Sequence, residues 1–265
     1  MHTMDWPSDW LLPDWPAPAH VHAVFTTRAG GHSVAPYDSM NLGDHVGDVP
    51  DHVQRNRQVL AQALAARPVF LQQVHGRVVA RLQAPSAETI VADASISTQP
   101  GLACTAMVAD CLPVLFTDRR GSVVAASHAG WRGLLGADGQ GVLETTYKEI
   151  VALAQAGSAL AATEIIAWLG PCIGPQQFEV GPEVPAAFLS QHPQAADLFV
   201  PHGPGKWLAD LPGLARLRLQ ALGVSGIYGN DGSPDWCTVS NPSRFFSYRR
   251  DGVCGRMAAC IWLGR

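Results

Sequence analysis

Charge is scarce in this 265-residue chain: Asp, Glu, Lys and Arg make up 15% of it, the net charge is -4, and lysines and arginines nowhere form a run. A nucleic-acid groove or an anionic membrane surface calls for such a run, so neither is expected as a partner and a small molecule is. No stretch approaches the ~20 apolar residues of a membrane helix. The start, Met1-His2-Thr3-Met4-Asp5-Trp6-Pro7, has neither the basic nor the apolar segment of a secretion signal, which leads us to expect a cytoplasmic protein. Also missing are Gly-x-x-x-x-Gly-Lys-Ser/Thr and a Gly-x-Gly-x-x-Gly after a strand, so a P-loop and a dinucleotide turn are not expected. The zinc-deaminase pattern fails too, since Pro171-Cys172 is present but Pro175 stands where the second cysteine belongs. The six cysteines, Cys104, Cys111, Cys172, Cys237, Cys254 and Cys260, make no tight framework and read as free thiols.

What is abundant is apolar sequence, 47% of the chain, ample for one core; with no linker or repeat we expect a single domain over 1–265. Residues 1–18, rich in Trp and Pro, read as an irregular arm. Strands are expected at His20–Thr27, Val69–Gly76, Val78–Leu82, Leu102–Val108, Ser122–Ala126 and Ile165–Leu169, with a pair around Arg244–Gly252 and Arg256–Leu263. Helices are expected from Pro50 to the residues before Pro68, from about Asp138 to Ala156, and over roughly 182–190 and 208–222. Strands and helices interleave too unevenly for a regular βαβ wind, so the expectation is α/β with mixed sheets packed together and helices outside.

Polar chemistry collects at the ends of the apolar strands. His75-Gly76 closes one, Ala109-Asp110-Cys111-Leu112-Pro113 separates two others, and Ser127-His128-Ala129-Gly130-Trp131-Arg132-Gly133 follows a third. Two imidazoles and a thiolate, His75, Cys111 and His128, are a three-ligand set suited to zinc, with a fourth position for water. Their wide spacing is not that of a zinc finger. The same residues also read as a cysteine hydrolase, with Cys111 as nucleophile and His128 as its base, oriented by Asp110 or a backbone carbonyl. Thiolate nucleophile and zinc ligand use one lone pair, so the two readings exclude each other in a single molecule. Arg28, Arg132, Arg244, Arg249 and Arg250 sit in glycine-rich or aromatic loops, where a guanidinium can hold phosphate. The Gly170-Pro171-Cys172-Ile173-Gly174-Pro175 turn has a rigid backbone path, and Glu179 beyond it is a further candidate acid.

These motifs, together with Phe25-Thr26-Thr27-Arg28, Asn41-Leu42-Gly43, Gln73-Val74-His75-Gly76 and Phe245-Phe246-Ser247-Tyr248-Arg249-Arg250-Asp251-Gly252, resemble the YfiH family over nearly the whole chain. Members were once labelled laccase-like multicopper polyphenol oxidases and are now described as purine nucleoside phosphorylases with adenosine deaminase activity. The resemblance implies a four-layer α/β/β/α sandwich and a mostly monomeric enzyme. It implies zinc at the positions of His75, Cys111 and His128, with copper as the alternative metal. Purine nucleosides and phosphate are the implied substrates. On this reading Cys111, His128 and Asp110, or Asp93 in its place, serve catalysis, and Arg28, Arg132, Arg249 and Cys172 serve phosphate or substrate binding. Cys254-Gly255-Arg256 stands where the family usually has Thr-Gly-Arg. A four-copper oxidase needs clusters of paired histidines, and the chain has ten histidines and one His-x-His, so copper oxidation is expected only as incidental chemistry at the same Cys/His site.

Overall fold

The computed structural model describes residues 7–84, 89–156 and 164–264. The arm, as far as it is described, runs onto β1 (Val21–Phe25), where the amides of Leu11 and Phe25 each donate to the other's carbonyl and Trp10 is buried. Next comes α1 (Pro50–Leu64), opened by its proline and burying Val53, Asn56, Leu60 and Leu64 on one face. Then β2 (Arg67–Val69) and β3 (Val79–Arg81) flank the loop that carries His75. The strand expected over Val69–Gly76 stops at Val69, and past a single bridge at Gln72 the backbone N–H groups of residues 74–76 turn to a side-chain carboxylate instead of a neighbouring strand. Beyond it lie β4 (Ala94–Ser97), β5 (Leu102–Val108), β6 (Leu112–Asp118) and β7 (Val124–Ala129), every residue of them buried.

Past β7 a short helix, α2 (Trp131–Leu135), precedes α3 (Val142–Ala156). The expected helix start near Asp138 moves to Val142 because Gly136, Asp138 and Gly139 all take positive φ, which a helix does not tolerate. There follow β8 (Ile165–Leu169), β9 (Glu179–Val180), α4 (Glu183–Gln191), β10 (Phe199–Pro201), β11 (Trp207–Ala209), α5 (Leu211–Ala221) and β12 (Gly226–Gly229). The strand expected near Arg244–Gly252 is instead a turn and a short helix, α6 (Tyr248–Asp251), capped where the Ser247 hydroxyl accepts from the Arg250 amide. Phe245 and Phe246 had suggested a strand; they are wholly buried, but as plugs from a loop. The final strand is β13 (Met257–Leu263).

Two mixed sheets result, ordered β1-β13-β5-β2 and β12-β8-β6-β7-β4-β3, with a small third sheet, β10-β11-β9. Alternation decides what each face meets. Cys104, Ala106, Val108, Ala259 and Ile261 point from the four-stranded sheet toward Leu115, Val124, Ala126 and Trp168 of the six-stranded one. Their neighbours Ala103, Met107, Ala258 and Cys260 face outward onto Leu60 and Leu64 of α1. The outer face of the larger sheet packs on Leu143 and Ile150 of α3, Phe188 of α4 and Leu214 and Leu219 of α5. The layers are therefore α/β/β/α, as expected.

Candidate functional site

The junction from β5 to β6 carries the chain from one sheet to the other, and Asp110 and Cys111 occupy it. Asp110 adopts φ 94, unusual for a residue with a side chain. Its carbonyl accepts from Ile173 in the rigid turn, and its carboxylate accepts from the Thr238 hydroxyl and the Arg249 amide, both at 2.6 Å. Antiparallel register does the rest. Leu112 pairs with Ala129 and Pro113 with His128, so one step further Cys111 comes opposite Gly130, on the face that His128 shares. A Cβ on Gly130 would stand 2.7 Å from His75 Cδ2 and 3.0 Å from Cys111 Sγ, so only glycine leaves the two side chains room to meet. On the other side of β7, Ala94 pairs with Ser127, and Asp93 comes opposite His128, whose amide donates to the Asp93 carbonyl at 2.7 Å.

His75 reaches the same point from its loop, at φ 59, with Nε2 3.7 Å from Cys111 Sγ and its ring edge-on to that of His128 at 4.8 Å between centroids. One donor atom from each of His75, Cys111 and His128 lies within 4.8 Å of the others, and among the described residues this is the one such group of three. The donor chemistry fits zinc: two imidazoles and a thiolate, one ring backed by a carboxylate. Burial opposes charge on both Cys111 and His128, yet the pair overcomes it. The His128 imidazolium, with hydrogen bonds from His128 and His75, brings the Cys111 thiol down to about 6. The Cys111 thiolate and the Asp93 carboxylate push His128 up to about 9.

This cluster forms one end of a cavity of about 540 Å³. Its walls combine Trp131, Phe178, Ile173, Leu211, Met107 and Tyr248 with Arg132, Arg249 and Arg256. The Arg132 guanidinium lies 4.4 Å over the Trp131 ring and has no ion pair among the described residues. Arg249 donates to the Glu179 carbonyl at 2.9 Å. Arg256 donates to the carbonyls of Cys254 and Gly255. Among the described residues none of the three guanidinium groups pairs with a carboxylate, and the one carboxylate on the wall, Asp110, is held by the Thr238 hydroxyl and the Arg249 amide, so the wall sets three guanidinium charges against one carboxylate.

Several expected participants lie elsewhere. Arg28 is outside the cavity, its guanidinium bonded to Asp38 and the Pro242 carbonyl and stacked 4.8 Å from the Phe246 ring. Cys172 is fully buried behind the wall with its thiol pushed well up by burial, then by Cys237. Arg250 is bound by the carbonyls of Thr238, Val239 and Phe245, and Glu179 pairs with Lys206 at 3.3 Å. Asp93 is buried off the cavity wall, with its carboxylate on His128 Nδ1 at 2.9 Å. Arg256 was not among the candidates, and what marks it is tertiary. Asn41 receives its amide at 2.9 Å, and a Cβ on Gly43 would press on its Cγ at 2.7 Å, so the Asn41-Leu42-Gly43 motif is shaped to hold it.

A family model described as multi-copper polyphenol oxidoreductase laccase matches residues 22–264. A purine nucleoside phosphorylase of Pseudomonas aeruginosa is 49% identical over 255 residues, spanning 96% of this chain and 98% of that one. The Escherichia coli protein named purine nucleoside phosphorylase YfiH matches with the same identity and coverage. The crystal structure of a Neisseria meningitidis protein superposes with a TM-score of 0.86 at 45% identity, covering 97% of this chain and all of that one.

Proposed function

The chain belongs to the YfiH family, and from that premise we propose that it is a metal-dependent purine nucleoside enzyme, acting as a cytoplasmic monomer of one domain over residues 1–265. It cleaves adenosine, inosine and methylthioadenosine with phosphate to free base and ribose 1-phosphate, and deaminates adenosine to inosine. The observation that carries this reading is the joining, in one cavity, of a His/Cys/His donor set to three arginines without carboxylate partners and to aromatic walls broad enough for a purine.

In phosphorolysis, Arg132, Arg249 and Arg256 hold the phosphate so that one of its oxygens attacks C1′. The C1′–N9 bond breaks, its electron pair leaves with the purine, and the purine takes up a proton. Trp131, Phe178 and Tyr248 offer ring faces for the base. In deamination, water adds at C6 and ammonia departs. His75, Cys111 and His128 would hold a zinc ion, which when bound supplies Lewis acidity. Asp110 is the carboxylate on the wall that can carry the proton to the leaving nitrogen.

A second reading has an observation of its own: Cys111, His128 and Asp93 are arrayed as thiol, base and orienting carboxylate, which suits a cysteine hydrolase or amidase acting on a cell-wall precursor. Asp93 takes the orienting place that Asp110 was expected to fill. A copper-dependent polyphenol oxidase with four coppers finds a single three-donor cluster among the described residues.

The test follows inosine, adenine and hypoxanthine by chromatography when metal-quantified protein meets adenosine in phosphate buffer, with and without chelator, beside Cys111→Ala. Products that need both metal and Cys111 support the nucleoside reading, and their ratio gives the balance of the two reactions. No turnover despite stoichiometric zinc overturns it. His75→Ala separates the readings, because it abolishes the zinc-dependent reaction and spares an amide hydrolysis run by Cys111 and His128.

A further inference from the structure

Behind the donor cluster lies a carboxylate that touches no part of the cavity. Asp93 is 1% exposed, and both its oxygens are occupied. Oδ1 accepts from His128 Nδ1 at 2.9 Å and from the His75 amide at 2.8 Å. Oδ2 accepts from the Gly76 amide at 2.6 Å and the Val74 amide at 3.2 Å. Each bond has a consequence for the donors. A neutral imidazole carries its proton on one nitrogen or the other; the bond to Asp93 keeps it on Nδ1 and leaves the Nε2 lone pair of His128 for a ligand. Three consecutive amides converge on the same anion, which closes the loop around His75 and offsets the cost of its left-handed backbone. The third donor, Cys111, owes nothing to Asp93. Its place comes from the register of β6 on β7 and from Asp110.

We propose that Asp93 is the positioning residue of the metal site: one buried carboxylate presets two of the three donors, His128 through its ring and His75 through its backbone, and thereby sets the affinity for a borderline-soft divalent ion such as zinc. The donors stand assembled before the metal arrives, so little ordering is charged against binding. This rests on reading the trio as a metal site, and not on which reaction the site performs.

Metal-stripped wild-type and Asp93→Asn proteins are titrated with zinc against a chromophoric chelator. Wild type is expected to bind one equivalent. Asn replaces one acceptor oxygen by an NH₂ that faces donors, and the expected loss is about 10- to 100-fold in affinity. A variant that binds within twofold of wild type overturns the inference, whereas a wild type that takes up no zinc overturns the metal site itself. A second measurement is independent of the variant's folding. In 15N-histidine-labelled wild type the His128 Nδ1 proton should be visible and slow to exchange in both metal-free and zinc-loaded protein, a signature that bulk stability does not produce. A ring with Nδ1 bare and its proton on Nε2 alone in the metal-free protein, or an Nδ1 proton exchanging freely with water, also overturns it.

Discussion

The two ends of the cavity are built by opposite means. At the donor end, His128 is buried at 4% exposure and clamped by Asp93 across the β4–β7 pair, while Gly130 keeps space beside Cys111. Positions there follow from strand register and a saturated carboxylate, which give little under load. At the other end Arg132 and Arg249 stand exposed on the short helices α2 and α6, held by carbonyls and ring faces, and Tyr248 is 60% exposed. Guanidinium groups held this loosely keep donors free for a ligand. A fixed donor set needs its geometry before a metal binds, whereas an anion clamp can close when its ligand arrives.

The sharpest contrast to test is among the thiols. In metal-stripped protein, Cys111 should react with iodoacetamide along a curve centred near pH 6, because its folded pKa is lowered to about 6; the thiolate is present above that pH and is lost as pH falls through it. Cys104 and Cys260, pushed up to about 12 by burial, should stay unmodified while the protein is folded. Peptide mapping after timed alkylation reads both. A Cys111 curve centred near the ordinary ~8.5 would remove the electrostatic distinction of the donor end.

A smaller effect is expected at the anion end. Arg256→Gln should raise the KM for phosphate by about 10-fold or more, the size of one charge-assisted hydrogen bond, and move kcat less. Equal loss in kcat and kcat/KM with KM unchanged would mean that Arg256 acts only in the transition state and does not hold ground-state phosphate. The smallest change belongs to Arg28, whose partners lie outside the cavity. Arg28→Gln should lower stability by about 1 kcal/mol in a denaturant titration and leave phosphorolysis within about twofold. A large rise in the KM for phosphate would restore Arg28 to the anion site.

Much of the donor end was legible in the sequence because it is local. A histidine or cysteine within two residues of a glycine or proline at the end of an apolar run can be found by eye, and His75, Cys111 and His128 all follow that pattern. The apolar runs also marked the sheets, and Pro50 marked α1. What sequence patterns misjudged were segments whose hydrogen bonds go to side chains or whose apolar residues plug a core from a loop: residues 74–76, satisfied by Asp93, and Phe245-Phe246, which alternate with nothing. Arg28 and Arg256 show the same limit, since both are arginines in motif-rich loops and nothing local tells which one faces the cavity.

The sequence by itself determined the α/β class, the strand ends that carry chemistry and the donor types, because composition and period act within a few residues. The tertiary structure alone decided that Asp93 and not Asp110 backs His128, that Gly130 must lack a side chain, and that Arg256 joins Arg132 and Arg249. The first two depend on the register of β7 with β4 and β6, where a slip of one residue would turn each side chain to the opposite face, and the third on short helices and a loop brought together from distant parts of the chain.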